Sequence, residues 1–356
     1  WRDRIMMSKP DARRSSFIAW IAVVAIVAAT CLFPSSASAQ TVTIKMATAV
    51  PTNSSWFNVL KDVADKWNKL SNGRVKVILY GGSTKGDDPE VVQAMRLGEL
   101  QGAVLTSVGV AEIEKSVYAV SIPMAYDSYE EVYAVLDQMR PRLEAAMEAK
   151  GFVVLNWADV GWVHFFTTSR VATPDDLKKL TLFQWAGDPK SLEIWKAAGF
   201  NVRPAALSDL PVGLSTGMFQ ACSMSPQVAQ IGRYYEKAKF MTDLKCALLL
   251  GATVVKKDTW ARVPADVKPA LLKAMQDAGA KLQSEIRQSG ESDVAAMKGA
   301  GLTVVPVDAR TKELWRKTAE SAYGKIRGDF VPADAFDQAM KARDEYRRQH
   351  AAAPKK

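Results

Sequence analysis

From residue 42 onward the chain repeats one pattern, and that repetition restricts its fold more than any other feature. A short run with strand character is followed by a longer segment with apolar residues three and four apart. Val42-Thr-Ile-Lys-Met46 alternates as a strand. Ser54 or Ser55 then caps a helix whose apolar face is Trp56, Val59, Leu60, Val63, Trp67 and Leu70, with Gly73 as its stop. Val75–Tyr80 and Ala103–Leu105 are strands, and Asp88-Pro89 between them opens a helix as cap and first-turn proline. A helix over 128–150 contains Pro141, which predicts a bend or a break.

Phe152–Leu155 is again a strand, and Leu180–Trp185 runs through Gly187-Asp188 into a helix over Pro189–Ala198. Val202–Ala205, Ala221–Met224 and Ala247–Val255 complete the strands, and Ser208 caps a short helix. A helical pattern then persists from Pro264 to Lys298, long enough to brace two cores. Such alternation predicts an α/β class with largely parallel sheets. The length after residue 39 is about that of two domains.

The front of the chain reads differently. Five basic residues (Arg2, Arg4, Lys9, Arg13 and Arg14) precede an apolar run from Phe17 to Phe33, and Ala37-Ser38-Ala39 follows. This order predicts a secretory signal peptide over 1–39, cleaved after Ala39, in place of a membrane anchor. Met6 and Met7 are both candidate starts. Removing residues 1–39 takes five basic and two acidic groups from totals of 47 and 38, which leaves a net charge of +6. The cations are dispersed, so nucleic acid is not an expected partner. Two cysteines remain, Cys222 and Cys246. In an oxidising compartment they either pair or stay as two buried thiols.

Catalytic chemistry finds little support. Gly213-Leu-Ser-Thr-Gly217 has the spacing of a nucleophile elbow, but it closes a helical segment. The histidine downstream of it, His350, lies in the polar tail from Arg347 to Lys356. No Cys/His pair has metal-ligand spacing, and Gly81–Gly86 lacks the Gly-Lys-Ser/Thr of a phosphate loop. No catalytic residue, metal or cofactor is expected. That leaves an exported two-domain α/β chain of the kind that binds ligands.

Thr43-Ile-Lys-Met-Ala-Thr-Ala-Val-Pro51, Asn72-Gly73-Arg74, Gln93-Ala-Met-Arg-Leu-Gly98, Ser121-Ile-Pro123-Met-Ala-Tyr126, Thr173-Pro174-Asp175-Asp176-Leu177-Lys178, Leu214-Ser-Thr-Gly217, Ser225-Pro226 and Thr259-Trp260-Ala-Arg-Val-Pro264 occur in one order. As a set they resemble the substrate-binding proteins of TRAP transporters, the DctP family. The resemblance implies a two-domain periplasmic-binding-protein-like fold with crossover strands and a long helix spanning both domains. It places 40–160 plus 250–288 in domain I and 161–249 plus 289–350 in domain II. It implies a periplasmic monomer that closes over a small organic ligand and delivers it to a TRAP permease of small and large membrane subunits. A ligand-binding sensory subunit and a secreted enzyme on the same fold are the alternatives.

The family's carboxylate-binding arginine falls on Phe183, a second family arginine near His164–Phe166, and the Asp-Gly turn is missing at Phe219–Cys222. The residues expected at the ligand are therefore mostly apolar. They are Trp56, Tyr126, Trp157, Trp162, Phe166, Phe183, Trp185 and Met224, with Ser107, His164, Gln184, Asp188 and Ser225 as the polar minority. His164 is either structural or a ligand contact, and Asp188 either a helix cap or a ligand contact. The cluster predicts an organic acid with aromatic or apolar character. The alternative is an aliphatic carboxylate held by His164 and by the free N–H groups at Pro189.

Overall fold

A computed structural model describes residues 41–351. The expected signal peptide lies outside them. Two mixed sheets form the frame. The first has the order β2 (Val75–Tyr80), β1 (Val42–Thr48), β3 (Gly102–Thr106), β10 (Leu248–Lys256) and β4 (Phe152–Trp162). The second has the order β11 (Thr303–Val305), β9 (Phe240–Thr242), β5 (His164–Thr167), β8 (Ala221–Met224), β6 (Leu182–Trp185) and β7 (Val202–Ala205). Strands β1, β2 and β3 run parallel, as do β6, β7 and β8. Strands β10 and β5 run antiparallel to their neighbours, so the sheets are mixed where parallel ones were expected. The cause is that the chain crosses between sheets twice as extended strand, out through β4–β5 and back through β9–β10, before helix Lys268–Gly299 returns it to β11. The second crossing reverses direction. At the crossing Val163 donates to the Ala247 carbonyl at 2.8 Å, and Cys246 donates to the Val163 carbonyl at 2.9 Å.

The major helices are α1 (Ser55–Leu70), α2 (Asp88–Leu97), α3 (Ser107–Ile113), α4 (Tyr129–Ala149), α5 (Pro189–Ala197), α6 (Pro226–Ile231), α7 (Lys268–Gly299), α8 (Ala309–Ser321) and α9 (Ala333–Ala351). Ser54 caps α1 by accepting from Phe57 N–H at 3.2 Å. Asp88 is not the cap of α2. That place belongs to Asp87, and the Asp88 carboxylate instead accepts from Thr106 N–H at 2.9 Å and Thr106 Oγ1 at 2.6 Å, tying α2 to the end of β3. Ser208 lies inside a short 3₁₀ turn and caps nothing, because the helix at Leu210–Thr216 starts from Asp209.

Side-chain alternation along the strands builds the cores. In the second sheet Phe165, Leu182 and Ala221 enter one buried cluster, while their neighbours Phe166, Phe183 and Cys222 enter the cluster on the opposite face. Each large apolar residue so buried contributes about 1.5–3 kcal/mol. The first sheet is covered on one face by α1 and the start of α7, where Trp67 Nε1 donates to the Leu271 carbonyl at 2.9 Å. Met297, near the other end of α7, joins the second sheet's core, so this helix does span both lobes. Gly279 makes that possible. A Cβ there would come within 2.0 Å of the Asn156 side chain on β4.

The segment 289–350 was expected in the second domain, but Ala335, Phe336, Ala339 and Ala342 of α9 enter the first lobe's core beside α4. Small residues on that stripe allow close helix approach. The expected solvated tail is the end of the same helix: Arg347 ion-pairs with Asp127 at 2.9 Å and with Glu131. Asp127 also takes Lys312 at 2.8 Å and Arg316 at 3.3 Å from α8, and these cations hold its carboxyl below the usual range against the opposing effect of burial.

Candidate functional site

The C-terminal ends of β3 and β6 face each other between the lobes. Strand β6 ends at Trp185, and Gly187 follows. A Cβ on Gly187 would sit 2.7 Å from the indole, so only glycine lets that ring lie against the turn. The Trp185 Nε1 donates to the Asp87 carboxylate at 3.0 Å, across from the second lobe to the first. Asp188 caps α5, accepting from Ser191 N–H at 3.1 Å, and burial pushes its carboxyl pKa up.

Below this bridge, on one side of the crossing strands, lies a cavity of about 220 Å³. Ser107, Val108 and Tyr118 come from the first lobe, Asp188, Ser191 and Trp195 from the second, and Val163 and Cys246–Leu249 from the crossing itself. Its walls are chiefly apolar. Phe165 stacks on Trp315 at 5.2 Å and meets Trp195 edge-on at 5.9 Å, while Trp195 meets Phe200 edge-on at 5.0 Å. A cage of this kind suits a flat or branched apolar group, and Ser107 and Asp188 are among the polar groups of its wall, with Tyr118, Ser121, Ser191 and Thr318.

On the other side of the crossing, under α7, lies a second cavity of about 430 Å³ lined by Trp162, His164, Ser225, Lys245 and Arg287 among others. His164 Nδ1 lies 3.3 Å from the Thr242 carbonyl, and burial lowers its pKa, favouring the neutral ring. Lys245 sits over the Trp162 ring at 5.7 Å.

The thirteen residues expected at the ligand thus separate into four groups. Ser107 and Asp188 line the apolar cavity, and Asp188 is also the cap of α5. Trp162, His164 and Ser225 line the polar one. Trp185 bridges the lobes, and Gln184 before it is buried and lines neither cavity. The remaining six, Trp56, Tyr126, Trp157, Phe166, Phe183 and Met224, are buried away from both cavities. Trp157 donates to Glu144 at 2.9 Å, Tyr126 donates to the Ala119 carbonyl, and Phe183 packs edge-on against Phe219 at 5.2 Å. Sequence reasoning missed Phe165, Trp195, Phe200, Trp315 and Arg287. Four are aromatics on core-like faces, and Arg287 looked like an ordinary solvent-facing cation of a long helix.

Residues 46–329 match the profile of DctP, bacterial extracellular solute-binding protein, family 7. The C4-dicarboxylate-binding periplasmic protein DctP of Rhodobacter capsulatus is 27% identical over 241 residues, covering 66% of this chain and 71% of that protein. A solute-binding protein of Chromohalobacter salexigens is 23% identical over 253 residues, 70% of this chain and 74% of the relative. Among solved structures, a TRAP periplasmic solute-binding protein of Ralstonia eutropha with bound (S)-2-acetolactate superposes with TM-score 0.78 at 22% identity, covering 85% of this chain and 99% of that one. One from Chromohalobacter salexigens with bound D-glucuronate gives 0.77 at 20% identity, with the same coverage. These structural likenesses carry the fold. The profile, which spans both sheets and the crossing strands, makes this chain a member of the DctP family, the bacterial extracellular solute-binding proteins of family 7.

Proposed function

We propose that this protein is the periplasmic receptor of a TRAP transporter, exported by the segment over 1–39, and that it captures a small organic acid with an aromatic or branched apolar body. The two lobes, divided at the crossings near 163 and 247, close on the ligand and release it to the small and large permease subunits. Binding, not reaction, is the whole of its chemistry. The observation that carries this reading is the cavity of about 220 Å³ whose walls come from both lobes and from both crossing strands. A ligand there touches everything that must move for the lobes to part. Phe165, Trp195, Phe200 and Trp315 supply stacking surface, and Ser107 is the hydroxyl on the facing wall. The polar end of the ligand lies toward Ser107 and Asp188, and burial raises the Asp188 carboxyl pKa.

Phe183 supports the apolar side of the reading. At the place where the family resemblance expects an arginine, the chain has a ring packed on Phe219, so the bidentate carboxylate grip available to relatives is absent there. A thermal-shift screen of aliphatic dicarboxylates, aromatic acids and branched acids tests the proposal. A ligand at 100 times its dissociation constant stabilises by about 2.7 kcal/mol, which is readily seen. Shifts with aromatic or branched acids that Trp195→Ala abolishes are expected. Shifts confined to C4 dicarboxylates and indifferent to Trp195→Ala would overturn it.

A further inference from the structure

The wall of the apolar cavity is unbalanced in charge. Among the residues that line it there is one carboxylate, Asp188, and no lysine, arginine or histidine. Asp188 is 8% exposed, its hydrogen bonds come from Ser191 alone, and it joins no ion pair among the described residues. Lys190 and Glu112 act on it from outside the wall with opposite signs, so neither neutralises it. Burial holds its pKa above the usual carboxylate range, as expected of a carboxyl without a partner cation.

Much of the remaining wall is aromatic. On the first-lobe side Tyr118 stacks on Phe330 at 4.2 Å, and on the second-lobe side Phe165 stacks on Trp315 at 5.2 Å. Trp195 and Phe200 add two more rings. Burial first, and then the Asp188 charge, push the Tyr118 hydroxyl pKa up, so the carboxylate lies near that ring. Ring faces carry negative charge density, as a carboxylate does, and both attract a cation. A ligand whose only charge is a carboxylate brings a second negative charge beside Asp188, in a poorly solvated space with no cation to offset it. A protonated amine in the same place meets a carboxylate on one side and ring faces on the others.

We propose, on the reading that this cavity holds the ligand, that the ligand bears a protonated amine, which pairs with Asp188 beside the Tyr118 ring while its apolar body lies among the other rings. Two kinds of molecule carry that group. One is an amino acid with an aromatic or branched side chain, whose own carboxylate turns toward the Ser107 hydroxyl. The other is a simple amine with the same body. Asp188 belongs to the second lobe and Tyr118 to the first, so the amine is held from both sides of the cleft.

Titration calorimetry on the full exported chain at pH 7 tests this with phenylalanine, leucine, phenethylamine and 3-phenylpropanoate, the last having the body of phenylalanine without its nitrogen. At least one amine-bearing probe should bind tenfold or more tighter than 3-phenylpropanoate. Asp188→Asn keeps an acceptor for Ser191 N–H, so α5 stays capped and the melting temperature should change little. That variant should weaken the amine-bearing probe at least tenfold and leave 3-phenylpropanoate no weaker. Trp195→Ala should weaken every probe that occupies this cavity. Phenylalanine ahead of phenethylamine supports the amine and identifies an amino acid. Phenethylamine ahead of phenylalanine also supports the amine, and overturns only the organic-acid reading. Binding of 3-phenylpropanoate as tight as phenylalanine, and indifferent to Asp188→Asn, overturns the amine and leaves the organic-acid reading standing. Should the variant fold poorly, the wild-type ranking of the amine-bearing probes against 3-phenylpropanoate decides alone. The proposal also falls if no amine-bearing probe binds.

Discussion

The Trp185 indole donates to the Asp87 carboxylate at 3.0 Å, joining the end of β6 in one lobe to the cap of α2 in the other. Both residues are partly buried, and Asp87 makes no cap bond to its own helix, so its acceptor is available for this contact. The bond ties the two lobes to each other.

Trp185→Phe keeps most of the ring surface and removes the donor. A hydrogen bond to a charged group contributes about 1.5–3 kcal/mol, less where solvent reaches it. The expected result is a small change in unfolding midpoint together with a larger radius of gyration by solution scattering in the absence of ligand. An unchanged radius would place the control of lobe separation elsewhere.

Phe183→Arg puts an arginine where the family resemblance expects one. Phe183 is 5% exposed and packed on Phe219, Phe166 and Met224, so the variant buries an unpaired charge. A loss of about 3–5 kcal/mol in urea unfolding is expected. Gain of dicarboxylate affinity with stability intact would show that the ring fills space the cleft can yield.

Cys222 and Cys246 are free and buried, and burial pushes both thiols up to about 12. They lie in clusters on opposite faces of the second sheet, so no disulfide can join them without breaking strands. A thiol reagent at pH 8 should label neither until denaturant is added, and a reductant should leave the melting temperature unchanged.

His164 carries the pH dependence. Burial lowers its pKa in the fold, so near the unfolded value of about 6.5 the unfolded chain binds more protons. Stability is then full above that value and falls as pH drops through it toward the depressed native pKa. The melting temperature should decline between pH 7 and pH 5, and His164→Gln should flatten that decline. An equal decline in the variant would assign it to other groups.

The alternation of strand and helix patterns, the caps at Ser54 and Asp188, and the length of α7 were all legible in the residues, because each rests on contacts within a few positions or on a simple period. The thiols, the sheet directions and the cavity-lining aromatics were not. Phe165 and Phe166 are adjacent and equally apolar, yet one reaches the apolar cavity and the other a closed core, because a strand sends neighbours to opposite faces. Which face is a cavity depends on what another segment brings to it: Trp315 from α8 beside Phe165, Met297 from α7 beside Phe166. The same holds for Arg287, ordinary on its helix and unusual only once Tyr129 and Tyr133 fix its plane. Local chemistry set the elements and the family. The placing of cavity, core and the Trp185–Asp87 contact was decided by the tertiary fold, since burial is a property of pairs of segments far apart in the chain.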